Sequence, residues 1–268
     1  MNGQLETIAD YRLIRHIGEG SHGDIYLATP PSRLGLGVEH VAVKVLRALT
    51  NDDAFRRTSR ELRTFAAVKS PYLVGLYDAG QDGGSFFYAM EYFTLGSVEK
   101  PSRPLDRAET IRALAHAARA AHALHEAGVA HRAIKPGNVL IHEEGAKLSD
   151  LGLAQTFEPG KTTTGLGGVE SVEYMDPSVL RGERASRATD IWSLGMTLHR
   201  ALSGHGVYGE LSGSDPLLTI RTVLTSEPEL SNELSDHERR VVSTALAPDP
   251  ADRQSTADEL ADQIEALN

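Results

Sequence analysis

At 268 residues, with 40% hydrophobic and 24% charged side chains, the chain has the composition of an ordinary globular protein large enough for one big domain or two lobes with real cores. A net charge of −10 argues against a nucleic-acid or anionic-membrane binder, because those partners call for a basic excess or patch. The absence of cysteine excludes a disulfide framework, a thiolate metal site and a thiol nucleophile, and fits a reducing compartment.

The first segment alternates in the β manner from Tyr11 to Ile17, enters Gly18-Glu19-Gly20-Ser21-His22-Gly23, and leaves through a second strand-like run, Ile25 to Ala28. Glycines at this spacing let a hairpin bring backbone N–H groups over phosphates, although a plain glycine-rich turn would read the same way. A dinucleotide fold would place a helix after the motif, whereas here a strand follows. After a polar connection, residues 30–39, His40 to Leu46 is a β-branched run carrying Lys44, and a lysine inside a buried-looking strand is costly unless it is paired. The next helical stretch, Asp53 to Lys69, offers Glu61, 17 residues after Lys44, as a partner or as a solvated charge. Leu62, Phe65 and Val68 repeat at helical spacing and are expected to face the sheet. Two more strands are predicted at Leu73–Tyr77 and Ser85–Met90, with a turn at Gln81-Asp82-Gly83-Gly84.

Asp106 to Ala127 has the full set of helix signals: a capping Asp106, Glu109 in capping-box position, Gly128 at the stop, and an apolar face of Ile111, Leu114, Ala118, Ala121 and Leu124. His116, His122 and His125 share this helix. His122 and His125 are near enough for a metal pair, but no local carboxylate completes a ligand set, so a solvated face is expected. A last helix is predicted from Thr256, with Glu259 completing a capping box and Leu260, Ile264 and Leu267 buried. No stretch approaches the ~18 apolar residues of a membrane span, and Met1 to Glu6 lacks the regions of a secretory signal. A cytoplasmic chain, or the cytoplasmic part of a longer one, is therefore expected, with no direct membrane insertion.

His131-Arg132-Ala133-Ile134-Lys135-Pro136-Gly137-Asn138, followed by Lys147-Leu148-Ser149-Asp150-Leu151-Gly152, resembles the catalytic and magnesium-binding loops of eukaryotic-like serine/threonine protein kinases, with alanine where the catalytic aspartate is expected. The resemblance runs from Tyr11 to the final helix. It implies an α+β, bilobal protein-kinase fold as a single domain over residues 1–268. A β-rich N-lobe with one main helix would extend to about residue 93, and a helical C-lobe would follow from about residue 94, with the active cleft between them. It also implies ATP and Mg²⁺. Ile17, Gly18, Gly20, Gly23, Ile25, Ala42, Lys44, Met90, Glu91, Phe93 and Leu140 would contact the nucleotide, with Met90 to Phe93 as gatekeeper and hinge. Glu61 would orient Lys44, Lys135 would meet the γ-phosphate, and Asn138 and Asp150 would hold the metal.

Several positions depart from the family pattern. Leu151 makes the metal loop Asp-Leu-Gly, a mild change, and Glu170 stands where glycine is usual. Met175-Asp176-Pro177-Ser178 lacks the glutamate that would pair with buried Arg253, so Asp176 or a backbone carbonyl is expected to replace it. Thr162, Thr163 and Thr164 are candidate phosphosites that could meet Arg132, or unmodified loop residues. Asp190 is expected to anchor the catalytic loop from a helix. Lys135 and Ser171 suit serine/threonine rather than tyrosine substrates.

Three functions fit Ala133. One is an ATP-binding regulatory or scaffold pseudokinase; another is an ordinary serine/threonine kinase with the aspartate deliberately changed; the third is an atypical transferase using the same cleft. A protein substrate or regulatory protein is the expected partner and nucleic acid is not; the sequence does not specify an oligomeric state.

Overall fold

The computed structural model describes residues 7–20, 23–46, 52–150, 169–209, 211 and 215–268. Leu151, Gly152 and the candidate phosphosites Thr162, Thr163 and Thr164 lie outside the described residues, as does the side chain of Glu170. The chain divides into two compact units, Met1–Ala66 with Val74–Tyr92, and Ala67–Leu73 with Phe93–Asn268.

The first unit is a six-stranded antiparallel sheet in the order β1-β2-β3-β4-β6-β5, with β1 Thr7–Ile8, β2 Tyr11–Gly20, β3 Gly23–Thr29, β4 Val41–Leu46, β5 Leu76–Asp82 and β6 Ser85–Met90. All six residues of β4 are buried, as its β-branched composition requires of an interior strand. Strand parity then separates two faces. Val41, Val43 and Val45 pack with Ile8, Tyr11, Ala28, Phe87 and Ala89 in one cluster, in which Tyr11 meets Phe87 edge-on at 5.6 Å. Ala42, Lys44 and Leu46 project to the other face.

The strand expected at Leu73–Tyr77 is instead β5, starting at Leu76 and running through Asp82. Leu73 bridges Leu148 and belongs to the second unit, so its apolar side chain serves a different core from the one that its place in the sequence suggested. Only Gly83 and Gly84 form the turn, both with positive φ (53° and 81°), the conformation that a two-residue hairpin matched to strand twist requires. Helix α1 (Asp52–Ala67) buries Leu62 and Phe65. Val68 falls past its end in the second unit and is half-buried, a correction to the predicted stripe.

The second unit is built on α2 (Arg107–Glu126), whose capping box between Asp106 and Glu109 forms as read, and Gly128 closes it at φ 75°. Alanines at 113, 115, 117 and 120 are buried besides the predicted face, so α2 is enclosed on most sides, by β8 (Gly145–Leu148), α5 (Arg187–Ser203) and α8 (Ala257–Glu265). β7 (Val139–His142) pairs with β8 as a hairpin. The short helices α3 (Val169–Val172) and α4 (Pro177–Leu180) precede α5, and α6 (Pro216–Thr225) and α7 (Asp236–Ala245) follow it. Helices α5 and α7 approach closely at Gly195, where an added Cβ would lie 2.7 Å from that of Ala245. Thr256 caps α8 by accepting from the Glu259 N–H, but the Glu259 carboxylate turns to the N–H and hydroxyl of Ser255, so the expected box closes one residue early. Leu260 and Ile264 are buried, whereas Leu267 lies beyond the helix and is half-buried. No helix of the described residues is long and apolar enough to cross a membrane.

Candidate functional site

In the first unit, register gathers several of the sequence-predicted nucleotide contacts. Lys44 lies between Ile25 on β3 and Tyr88 on β6, and Ala42 opposes Met90. Gly18 opposes Ile25. Directly paired residues share a face and alternate residues repeat it, so Gly18, Ile25, Ala42, Lys44 and Met90 occupy the sheet face opposite the apolar cluster. Lys44 is 4% exposed, and an ammonium so enclosed needs anionic company.

The glycines of the loop differ in role. Nothing lies within 4 Å of a Cβ built on Gly18, whereas one on Gly23 would stand 2.1 Å from the Val45 carbonyl oxygen. Gly23 is therefore required by the close β3–β4 pairing itself. Gly20 pairs with Gly23 across the hairpin end, and Ile17 sits half-buried at a bulge in β2 between His16 and Gly18. The Glu91 N–H donates to the Gly75 carbonyl at 2.9 Å, and the Glu91 carboxylate accepts the Gly75 N–H at 3.4 Å. Glu61 is half-buried on α1.

The second unit holds the loop from His131 to Leu140. Its backbone is fastened by side chains other than that of residue 133. Asp190, on α5 and 1% exposed, accepts from the N–H groups of His131 (2.6 Å) and Arg132 (2.9 Å), and from His125 Nε2 (2.8 Å). Asn138 donates from Nδ2 to the Ala133 carbonyl at 2.7 Å. Asn138 Oδ1 and the Asp150 carboxylate are oxygen donors, the type of ligand that would suit Mg²⁺. Arg132 (φ 67°) and Asp150 (φ 57°) are two non-glycine residues held in the left-handed region, a conformation that persists only where its surroundings impose it. Lys135 donates to Ser171 Oγ at 2.9 Å, and Leu140 bridges Ser97. Phe93 lies against His142, with Lys147 Nζ 5.9 Å from its ring centre.

His131 is fully buried. Its Nδ1 accepts from the Ala133 N–H (3.3 Å) and its Nε2 donates to the Ser149 carbonyl (3.0 Å), a pattern only the neutral Nε2–H tautomer satisfies. Burial, ahead of the opposing pull of Asp190, pushes its pKa down to about 4. Because the folded value lies below the ordinary 6.5, the stability it brings is complete above pH 6.5 and is lost as pH falls toward 4, about 3 kcal/mol at most. Burial shifts His116 and His199 in the same direction. The midpoint of thermal unfolding is therefore expected to fall between pH 6.5 and 4 while the His131 ring stays neutral by NMR at pH 5.5; a folded-state ring titrating near 6.5 would refute this.

The histidines of α2 depart from expectation. Two of them are not on a solvated face: His125 is buried against Asp190, and His116 stacks on Tyr72 at 4.6 Å and accepts the Ala146 N–H, while His122 is half-buried. Their partners lie too far along the chain for helical periodicity to reveal. The substitute acceptors for Arg253 are both present, Asp176 Oδ2 at 2.5 Å and the Ala188 carbonyl at 2.8 Å, and the guanidinium also covers the Trp192 ring at 5.0 Å.

Comparison with known proteins agrees with this geometry. Residues 11–264 match the family profile described as protein kinase domain. Serine/threonine-protein kinase PknK of Mycobacterium tuberculosis is 32% identical over 264 residues, covering 96% of this chain and 23% of PknK. PrkC of Bacillus subtilis is 30% identical over 257 residues, covering 93% of this chain and 39% of PrkC. The chain thus spans less than half the length of these curated relatives. The crystal structure of the Mycobacterium tuberculosis PknI kinase domain superposes with a TM-score of 0.74 at 25% identity, covering 97% of this chain and 96% of that one.

Proposed function

Because this chain belongs to the eukaryotic-like serine/threonine protein kinase family, we propose that it acts as an ATP- and Mg²⁺-binding pseudokinase, a regulatory or scaffold domain whose nucleotide-set conformation is read by a protein partner. One observation carries this: the catalytic loop is fastened by Asp190, His131 and Asn138, and none of those bonds needs a side chain at Ala133. Losing the proton acceptor leaves the loop in place and removes ~10²–10⁴ in rate, while nucleotide and metal contacts lie on other residues. In this reading residues 1–268 are one cytoplasmic kinase domain. Lys44, oriented by Glu61, and Lys135 meet phosphates, Gly18 and Ile25 cover them, and Asn138 and Asp150 hold Mg²⁺. The Asp176–Arg253 pair adds support, because a rearranged buried ion pair is a departure that an isolated change at position 133 would not bring with it.

Mg-ATP is expected to raise the thermal midpoint of the wild-type chain, Lys44→Ala is expected to remove that rise, and no γ-phosphate is expected to reach protein serine or threonine. Transfer by the wild-type chain at ordinary kinase rates, ~1–100 s⁻¹, would sink the proposal. A second reading, an active kinase whose aspartate was replaced, draws on the Lys135–Ser171 contact, which suits a serine/threonine substrate. An aspartate codon at position 133 of the source gene, with transfer restored in Ala133→Asp, would establish it instead.

A further inference from the structure

Among the described residues, one group of histidine and carboxylate side chains brings three ligand atoms together: His16, Glu19 and Asp24, with those atoms within 4.8 Å of one another. The bulge in β2 assembles it. Residues 16 and 19 are an odd number of positions apart, so in an unbroken strand they would project to opposite faces of the sheet. The register steps from His16 opposite Tyr26 to Gly18 opposite Ile25, two residues of β2 against one of β3, and the extra residue returns both side chains to one face. Glu19 then stands directly opposite Asp24, which shares that face with Tyr26 by strand alternation. Gly18 and Ile25 lie on the other face. The His16 ring packs edge-on against Tyr26, with centroids 5.4 Å apart, and its Nε2 is 3.7 Å from Asp24 Oδ1.

We propose that His16, Glu19 and Asp24 form a binding site for a divalent first-row transition-metal ion, Zn²⁺ foremost, which clasps β2 to β3 near the hairpin end. Zn²⁺ takes imidazole nitrogen and carboxylate oxygen at ~2.0–2.2 Å in a tetrahedron, whose edges are therefore about 3.3–3.6 Å. The His16–Asp24 separation of 3.7 Å is already close to such an edge. Glu19 supplies the third ligand, and because it and His16 are exposed, water reaches the fourth position. Two carboxylates directly opposite one another repel, and a dication between them turns that repulsion into attraction. The imidazole sets the choice of metal, since Mg²⁺ and Ca²⁺ prefer all-oxygen sets whereas Zn²⁺ accepts mixed nitrogen and oxygen donors. A chain without cysteine has only such donors to offer it. The site itself is independent of nucleotide. On the reading above, the clasp also holds Gly18 and Ile25, on the far face of the same hairpin, in one arrangement over the phosphates.

The test is isothermal titration of the tag-free, nucleotide-free chain with ZnCl₂. Saturable binding of one Zn²⁺ is expected at this site. Its affinity should fall at least tenfold with His16→Ala and with Glu19→Gln/Asp24→Asn, while circular dichroism shows both variants folded as the wild type. His205→Ala removes an exposed histidine that faces Glu233 at 4.0 Å elsewhere on the surface, and it should keep the wild-type affinity. Hydrogen exchange at the Glu19 and Asp24 amides is expected to slow when Zn²⁺ is added, because the ion links the two strands. No saturable binding up to ~1 mM Zn²⁺, unchanged affinity in either site variant, or loss of affinity in His205→Ala would overturn the site. Binding that leaves the exchange of both amides unchanged would overturn the clasp. The titration contains no nucleotide, so absence of ATP binding would count against the nucleotide reading alone.

Discussion

Asp190→Ala is expected to destabilise the second unit by about 3–5 kcal/mol and to strip hydrogen-exchange protection from the His131 and Arg132 amides. Three donors converge on this one buried carboxylate: two backbone N–H groups, 58 and 59 residues earlier in the chain, and His125 Nε2. Charge-assisted bonds to enclosed groups are worth more than ordinary ones, and removing the acceptor leaves each donor desolvated without compensation, at about 1–3 kcal/mol apiece before relaxation. The positive φ of Arg132 has no intrinsic support in an arginine, so the loop is expected to leave that conformation once its anchor is gone. Asp190→Asn preserves size but presents an N–H₂ group to one of the donors, so it should recover less than half of the loss. Urea unfolding checks the magnitude through a lower midpoint at unchanged slope. A cost below about 1 kcal/mol, with both amides still protected, would show that the loop is held by other means.

Asp176→Ala should cost a comparable ~3–5 kcal/mol, because it strands the Arg253 guanidinium in a place where that side chain is 1% exposed. The arginine keeps the Ala247 and Ala188 carbonyls and the face of Trp192, but these are neutral partners for a buried charge. Asp176 also caps α4, its Oδ1 accepting the Ser178 N–H at 2.8 Å, so the alanine loses a helix cap as well. Combining Asp176→Ala with Arg253→Met removes the stranded charge, and the double variant is expected to be more stable than Asp176→Ala alone. A double variant as unstable as the sum of the singles would mean that the two residues contribute independently rather than as a pair. The family's usual glutamate is absent at Ser178, yet its ion pair survives in altered form two positions earlier.

Features governed by neighbouring residues were open to reading before any fold was known. The α2 capping box, its Gly128 stop and its apolar stripe all depend on contacts within four residues, which helix geometry dictates. Lys44 inside a β-branched strand was equally legible, because period-two alternation assigns it to one face and burial makes its charge conspicuous. The strand placed at Leu73 was misread because an apolar run does not say which core it enters; Leu73 joins Leu148 and the second unit, and β5 starts three residues later. His125 was read as solvated for a related reason: its partner Asp190 is 65 residues away, and helical spacing carries no information about such a contact.

By itself, then, the sequence determined the family, the strongly patterned elements such as β4 and α2, and the residue types of the candidate site, including the alanine at position 133, because these follow from residue type and short-range periodicity. The tertiary structure decided what holds the loop around that alanine. Asp190, Asn138 and a neutral His131 do so through bonds to backbone groups, and those bonds depend on chain separation, burial and a left-handed residue that no local pattern encodes. A loop fastened through its backbone tolerates the loss of a side chain that only chemistry requires.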